Sequence, residues 1–149
     1  MKLEDEIKQK KFTNEFHKAN VNLIFTSTWL NALHHKIFKK YGISNQQFNI
    51  LRILRGQNGA TVHLKLLTER MLDKMSNTSR LVEKLFQKKL VERNICEDNR
   101  RQIDIKLSAK GLELVKEISD ELEKKYKGKQ NLSMDEAKEL NRLLDKLRG

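Results

Sequence analysis

Apolar residues recur three, four or seven positions apart over most of this 149-residue chain, and no proline interrupts them. Such spacing lines one side of an α-helix, and proline is the residue that most directly breaks a helix. The first periodic segment runs from about residue 3 to residue 40, and its apolar positions cover a broad arc. Shorter segments follow within 44–56, 61–72, 76–88, 108–128 and 133–147. The pattern predicts a mainly α protein whose first helix is long and continuous.

The predicted helices begin and end at residues with strong capping preferences. Serines precede four of them, at Ser44, Ser76, Ser108 and Ser133. A serine side chain accepts a hydrogen bond from the first turn of a helix. Gln47 and Glu136 follow the first and the last serine by three residues and complete capping boxes. Gly42 is the expected end of the first helix, because glycine adopts a left-handed conformation without strain.

A different periodicity follows the fourth predicted helix. Apolar and polar residues alternate along Gln102–Leu107, which is typical of a half-buried strand. This strand is predicted to pair with Val91–Ile95 across a polar turn at Cys96–Arg101. Two short helices joined by a tight turn and followed by such a hairpin form a winged helix arrangement. The predicted fold class is therefore mainly α with a small β-hairpin, a winged helix-turn-helix lobe joined to further helices.

The charge of the chain favours a polyanionic partner. Thirty-one Lys and Arg oppose 20 Asp and Glu, which gives a net charge of +11, and such a balance suits nucleic acid or an anionic membrane surface. The second helix of the predicted helix-turn-helix carries residues that can reach DNA in a major groove: Asn77, Thr78, Ser79 and Arg80, with Lys84 one turn further on. Polar residues at a helix start also serve as caps, so that role stays open beside DNA binding.

Two adjacent arginines, Arg100 and Arg101, lie at the predicted hairpin turn. A hairpin in this position lies along the DNA backbone, and a narrow minor groove concentrates negative potential that attracts arginine. Either arginine is therefore a candidate for insertion into the minor groove. A solvated turn would account for the two charges, but not for their place directly after a helix-turn-helix.

Other kinds of site find little support in the sequence. The lone cysteine, Cys96, excludes an intramolecular disulfide and suits a reducing compartment. The four histidines lack metal-binding spacing, and no glycine-rich phosphate loop or nucleophile–base pair is evident. We therefore expect no metal, no cofactor and no enzyme. The apolar runs are far shorter than the ~18 residues of a membrane span, and we expect a cytoplasmic protein.

In their order and spacing, four segments resemble the multiple-antibiotic-resistance regulator (MarR) family of winged helix regulators over nearly the whole chain. They read ISNQQFNILRIL, LTERMLDKMSNTSRLVEKL, KKLVERNI and NRRQIDIKLSAKGLEL. The family pattern in the wing is Asp-x-Arg, with Leu-Thr-x-x-Gly beginning six residues after the arginine. Counting back from Leu107 selects Arg101, with Asn99 in place of the aspartate. Asp98 and Arg100 also match, one residue out of register, so both arginines stay open and Arg101 is favoured.

The chain departs from the family pattern at Lys89, where glycine often precedes the Leu90-Val91 pair. A glycine at this place would end the second helix of the helix-turn-helix in a left-handed conformation. Lysine must adopt that conformation with some strain, or the helix must end differently.

The resemblance implies a sequence-specific transcriptional regulator that binds double-stranded DNA as a homodimer, more often as a repressor than as an activator. Residues 44–107 would form the winged helix-turn-helix lobe of a single domain, and residues 1–40 and 112–149 its dimerisation helices. Each subunit would then bind one half of a pseudo-palindromic operator. The broad apolar arc of the first helix already requires a covering partner. The alternative is a winged helix module that binds protein or RNA instead of duplex DNA.

Family members commonly respond to a small phenolic or otherwise lipophilic effector, held between the dimerisation helices and the DNA-binding lobe. The candidate lining residues in this chain are Trp29, Leu33, His34 and Phe48. Ordinary core packing is the competing interpretation for each of them.

Overall fold

A computed structural model of the protein describes residues 1–95, 103–127 and 131–149. Its helices are α1 (Leu3–Glu6), α2 (Glu15–Phe38), α3 (Asn45–Arg55), α4 (Leu64–Arg70), α5 (Thr78–Gln87), α6 (Ala109–Tyr126) and α7 (Met134–Arg148). Its strands are β1 (Val62–His63), β2 (Val91–Ile95) and β3 (Ile103–Leu107), and a 3-10 turn at Lys39–Tyr41 follows α2. The fold is mainly helical with one small sheet, which confirms the predicted fold class.

Helices α3, α4 and α5 and the sheet are built around one apolar core. The predicted capping box starts α3: the Ser44 hydroxyl accepts from the Gln47 N–H at 3.1 Å, and Gln47 Oε1 accepts from the Ser44 N–H at 3.0 Å. The strands are antiparallel in the order β1-β3-β2. Every one of these elements contributes to the core, including Phe48, Leu51, Leu54, Val62, Leu67, Val82, Leu85, Val91 and Ile105. The helix-turn-helix and the base of the wing therefore share a single packed interior.

Helix α6 leaves the sheet at a tightly constrained junction. Its N-cap, Ser108, accepts from the Gly111 N–H at 2.9 Å and donates to the Lys89 carbonyl oxygen at 2.8 Å. A Cβ atom on Gly111 would lie only 2.0 Å from the Leu90 carbonyl oxygen. The glycine of the wing motif is therefore needed because α6 crosses directly over the start of β2.

A polar cluster joins the end of α2 to α6. The Tyr41 hydroxyl donates to Glu121 at 2.8 Å and to Glu117 at 3.3 Å, and Lys40 pairs with Glu121. The hydrogen bond to Glu121 is the main cause that raises the pKa of Tyr41 to about 12. The Lys40 ammonium, followed by the Tyr41 hydroxyl, lowers the pKa of Glu121.

The prediction of one continuous helix from residue 3 to residue 40 is wrong. Helix α1 ends at Glu6, Lys8 has a left-handed φ of 54°, and α2 begins only after Asn14. The Asn14 side chain accepts from the His17 N–H at 2.9 Å. Asparagine competes for backbone hydrogen bonds in this way and starts a new helix within an otherwise periodic segment. The absence of proline was therefore not sufficient to predict an unbroken helix.

Two other predicted boundaries differ. The third predicted helix, 61–72, is shorter, because Val62 and His63 pair with β3 and the helix covers only Leu64–Arg70. The fourth begins at an Asn77 cap and not at the predicted Ser76. The predicted turn Cys96–Arg101 and the predicted helix end at Gly128 lie outside the described residues.

Large apolar side chains on α2 and α7 are exposed in the single chain. They are Phe16, Leu23, Ile24, Trp29 and Leu30 on α2, and Leu140, Leu143 and Leu147 on α7. Helix α7 has no buried residue at all. Exposed apolar residues that are scattered singly need no explanation, but contiguous apolar faces of this kind mark interaction surfaces.

Candidate nucleic-acid interface

Helix α5, the second helix of the helix-turn-helix, has two distinct faces. Val82 and Leu85 are buried in the core of the lobe. Ser79, Arg80 and Lys84 are exposed, and the two basic residues lie on the same side because they are four positions apart. The outer face therefore presents a hydroxyl and two cations, which are groups that contact DNA bases and phosphates.

Asn77 and Thr78, the other two residues predicted to contact DNA, have roles within the fold itself. Asn77 is the N-cap of α5, and its Oδ1 accepts from the Arg80 N–H at 3.0 Å, so capping accounts for that oxygen. Thr78 is only 4% exposed, and its buried Oγ1 has no hydrogen-bond partner among the described residues. Thr78, which the sequence placed among the residues that can reach DNA, therefore does not share the exposed face of Ser79 and Arg80, because the first residue of α5 packs inward.

The turn before α5 is held by hydrogen bonds to its backbone. The Asn49 side chain on α3 accepts from the Leu72 N–H at 2.9 Å, and Asp73 Oδ1 accepts from the Met75 N–H at 3.0 Å. The Met75 hydrogen bond is the main cause that lowers the pKa of Asp73. These contacts fix the turn and with it the position of the α5 N-terminus.

The base of the wing is a regular two-stranded ribbon. Strands β2 and β3 pair from Val91 opposite Leu107 to Ile95 opposite Ile103, as the alternating sequence predicts. Glu92 and Lys106 face each other across the ribbon and form an ion pair at 3.0 Å. The proposed groove-binding arginines, Arg100 and Arg101, lie outside the described residues.

Arg93, which the sequence did not single out, connects the wing to α5. Its Nη1 donates to Glu83 Oε2 at 2.5 Å, and its guanidinium carbon lies 4.1 Å from the centre of the Phe86 ring. Arg93 shares a face of β2 with the buried Val91, since side chains two apart on a strand point the same way. That alternation is the only sequence signal that could have indicated an inward-facing arginine.

The four predicted effector-contacting residues lie in different surroundings. Phe48 lies in the core, with its ring 4.5 Å from that of Phe38. Trp29 borders a small separate depression near α1. Leu33 and His34 are half-buried, and burial lowers the pKa of the His34 imidazole. Core packing is a sufficient account of Phe48.

A larger groove lies between α2, the start of α3 and the helix-turn-helix turn. Its volume is about 750 Å³, and its walls include the carboxamides of Asn31, Asn45, Gln46 and Asn49 together with Met71 and Leu72. None of the four predicted residues borders this groove, because successive residues of a helix point about 100° apart and the groove takes a different face of α2. The direction in which each α2 side chain points from the helix axis therefore decides whether it lines the groove, and its position in the sequence does not.

Within the residues that the structure describes, no group of three or more His, Cys, Asp and Glu side chains could hold a metal ion. No helix in those ranges is long and apolar enough to cross a membrane. The lone Cys96 lies outside them.

Comparison with known proteins identifies the family. The sequence model described as the MarR family matches residues 43–103, from the start of the helix-turn-helix lobe to the start of β3. The HTH-type transcriptional regulator MgrA of Staphylococcus aureus is 36% identical over 113 residues, which cover 76% of this chain and 75% of MgrA. The chain belongs to the MarR family. Membership confirms the family predicted from the sequence and, with it, a transcriptional regulator rather than an enzyme.

Solved MarR structures share the fold of this MarR family protein. A MarR transcription factor from Planctomyces limnophilus is 27% identical, covers 91% of this chain and 98% of its own, and has a TM-score of 0.68. A MarR mutant from E. coli, solved in complex with operator DNA, is 20% identical, covers 93% and 99%, and has a TM-score of 0.77. The winged helix fold is thereby confirmed.

Proposed function

We propose that this MarR family protein binds double-stranded operator DNA in a sequence-specific manner and represses transcription from it. The observation that carries the proposal is the two-sided α5, whose buried Val82 and Leu85 turn Arg80 and Lys84 outward beside the base of the wing. The E. coli MarR mutant with the same fold was solved on operator DNA. A DNA target also implies a cytoplasmic location.

In this proposal each part of the lobe has its own contact with DNA. Ser79, Arg80 and Lys84 reach base edges and phosphates of a major groove from the exposed face of α5. One wing arginine, for which the family pattern favours Arg101 over Arg100, enters the neighbouring minor groove. Phosphate contacts then make affinity fall steeply with added salt, because bound counterions are released.

The protein is proposed to act as a homodimer. The apolar faces of α2 and α7 are the surfaces that a second copy would cover, and they belong to the ranges 1–40 and 112–149 that we assign to dimerisation. Two identical subunits related by a two-fold axis place two α5 helices in successive major grooves of a pseudo-palindrome. The lobe 44–107 would then be free to contact DNA.

The test is to recover duplex fragments from a genomic pool and to measure affinity for them by fluorescence anisotropy. Arg80→Ala is expected to weaken binding to the best fragment by about tenfold or more, the scale of one lost base contact. Arg55→Ala removes an arginine at the end of α3 that donates to Ser119 Oγ at 3.1 Å and should leave that affinity nearly unchanged. Binding of RNA in place of duplex, or equal affinity for every duplex, would contradict the proposal and favour the alternative module.

We further propose that a small phenolic or lipophilic effector regulates DNA binding. The groove of about 750 Å³ supports this proposal, since it lies between α2 and the helix-turn-helix turn and mixes carboxamides with apolar side chains. A panel of substituted phenols and aromatic acids is added to the protein–DNA complex, and release is measured. An Ala32→Trp variant, which fills the groove from α2, should lose that response while it retains DNA binding.

A further inference from the structure

The wing and α5 are joined by one side chain that makes two different contacts. The Arg93 guanidinium donates to the Glu83 carboxylate at 2.5 Å and stacks over the Phe86 ring at 4.1 Å. Glu83 also accepts from Gln87 Nε2 at 3.2 Å. The Arg93 side chain is 29% exposed and that of Glu83 is 43% exposed, so the pair stands at the edge of the core and not in bulk solvent.

The two contacts constrain orientation because they come from one face of α5. Glu83 and Phe86 are three residues apart and therefore neighbours on the helix surface. A planar guanidinium can pair with the carboxylate and lie over the ring only within a narrow range of angles between β2 and α5. The two contacts add to the shared core in restraining the angle between β2 and α5, and together they oppose rotation in both senses.

Orientation matters because the helix and the wing are proposed to enter different grooves. A small rotation at the base of β2 displaces the far end of the described ribbon, where Ile95 lies opposite Ile103, by a larger distance, since each strand residue adds about 3.3 Å. Arg93 is poorly suited to contact a phosphate itself, because Glu83 already neutralises its charge. Its contacts instead connect the two elements that must engage DNA at the same time.

We propose that Arg93 is a positioning residue, which sets the angle between α5 and the β2–β3 wing so that both reach DNA together. Glu83 and Phe86 hold the Arg93 guanidinium in place. The inference rests on the DNA binding proposed above, and it assigns to Arg93 an indirect role in affinity. The residue acts through the position of the wing and not through contact with the nucleic acid.

The decisive variant is Glu83→Gln, which keeps the size of the side chain, leaves Arg93 and Phe86 intact and makes the protein one unit more positive. Electrostatic attraction by itself predicts tighter DNA binding for this variant. If Arg93 acts by positioning, Glu83→Gln instead weakens binding by about threefold to tenfold. Arg55→Ala, which removes an arginine that donates to Ser119 Oγ at 3.1 Å away from the contact between α5 and β2, is the control and should change affinity little.

A double-mutant cycle with Arg101→Ala provides the second measurement. Arg93→Ala should weaken binding by about tenfold in the wild-type background but by less than about threefold once Arg101 is gone, because the wing contact that it supports is already lost. Arg93→Lys should recover part of the loss. Circular dichroism melting of each variant separates these effects from unfolding.

The outcomes distinguish the two proposals. If the wild type binds no duplex, both fail. If the wild type binds a preferred duplex, but Glu83→Gln binds as tightly or more tightly and the Arg93 and Arg101 losses add, only the positioning role is overturned. A loss for Glu83→Gln together with non-additive Arg93 and Arg101 losses supports it.

Discussion

The backbone of Lys89 lies in the left-handed region, with a φ of 60°, where an L side chain crowds the following carbonyl oxygen. Its N–H donates to the Phe86 carbonyl at 2.8 Å, and the Leu90 N–H donates to the Leu85 carbonyl at 3.0 Å. This pair of hydrogen bonds ends α5 in a Schellman motif, which requires a left-handed residue at this place. Of the two alternatives that the sequence left open, the protein adopts the strained one.

Replacing Lys89 by glycine should therefore stabilise the protein. We expect a gain of about 1 kcal/mol in the free energy of unfolding, because the strain of a Cβ at positive φ is removed. Urea unfolding followed by circular dichroism measures it. Gly42→Ala is the reciprocal control, since Gly42 has a φ of 65° and a Cβ there would meet no atom closer than 4.0 Å. That variant should lose a similar amount, and a less stable Lys89→Gly protein would contradict the argument.

The raised pKa of Tyr41 gives the protein a specific sensitivity to alkaline pH. Its hydrogen bond to Glu121 favours the neutral phenol and brings the pKa from 10.0 to about 12. A group whose pKa is raised on folding contributes its full stability below the unfolded value and loses it as the pH rises through the folded value. The contribution of Tyr41 is therefore complete below pH 10 and is lost towards pH 12.

Tyrosinate absorbance measures this shift directly. The chain has two tyrosines, so a Tyr126→Phe variant reports Tyr41 alone. We expect a midpoint near pH 12 in the folded protein and near pH 10 in urea. A Glu121→Gln substitution should bring the folded midpoint back towards the unfolded one, and a folded midpoint near 10 without that substitution would refute the assignment.

At the scale of elements, the junction of α5, β2 and α6 depends on backbone groups in close contact. The Leu90 carbonyl accepts from the Ser108 N–H at 3.2 Å, and Gly111 passes over the same carbonyl. The first turn of α6 therefore packs on the start of β2 without an intervening side chain. Any side chain at residue 111 must push α6 away from the wing.

Gly111→Ala should accordingly be strongly destabilising. We expect the free energy of unfolding to fall by about 2 kcal/mol or more. The added Cβ would lie 2.0 Å from the Leu90 carbonyl oxygen, so the backbone of α6 or of β2 must move. The matched control is Gly56→Ala, where the new Cβ would be 3.4 Å from the Ile53 carbonyl oxygen and the change in stability should be small. Thermal unfolding compares the two, and equal melting temperatures for both variants would be inconsistent with this packing.

At the scale of the whole molecule, one copy of the chain leaves its outer helices incompletely covered. Ile24 on α2 is 68% exposed, and Leu147 on α7 is 58% exposed. Apolar surface exposed to water is worth roughly 25 cal/mol per Å² when it is buried. The proposed homodimer would recover this free energy and would also bring two helix-turn-helix lobes onto one duplex.

A charge placed on α7 should therefore dissociate the dimer. We expect Leu147→Glu to weaken self-association by at least about tenfold, since one buried leucine contributes about 1.5–3 kcal/mol, and to weaken operator binding with it. Leu66→Glu is the control for self-association, because Leu66 is 37% exposed on α4, outside α2 and α7. Light scattering over a concentration series gives the oligomeric state, and a wild type that remains monomeric would refute the dimer.

Short-range chemistry made much of this structure predictable from the sequence. The Ser44 and Ser133 capping boxes, the Ser108 cap and the left-handed Gly42 are all present, because a cap involves residues only three or four apart. The β2–β3 pairing followed from strict alternation. The family was also identifiable, since its motifs lie in these locally determined segments.

What the sequence could not supply depended on contacts between distant segments. Strand β1 forms only because β3 offers Val62 an open edge, and Thr78 is buried only because α5 packs as it does. The groove takes the face of α2 that the apolar stripe does not mark. Local hydrogen bonding and periodicity thus determined the elements, their caps and the family, whereas tertiary packing decided which faces are buried and placed Arg93 between the helix and the wing.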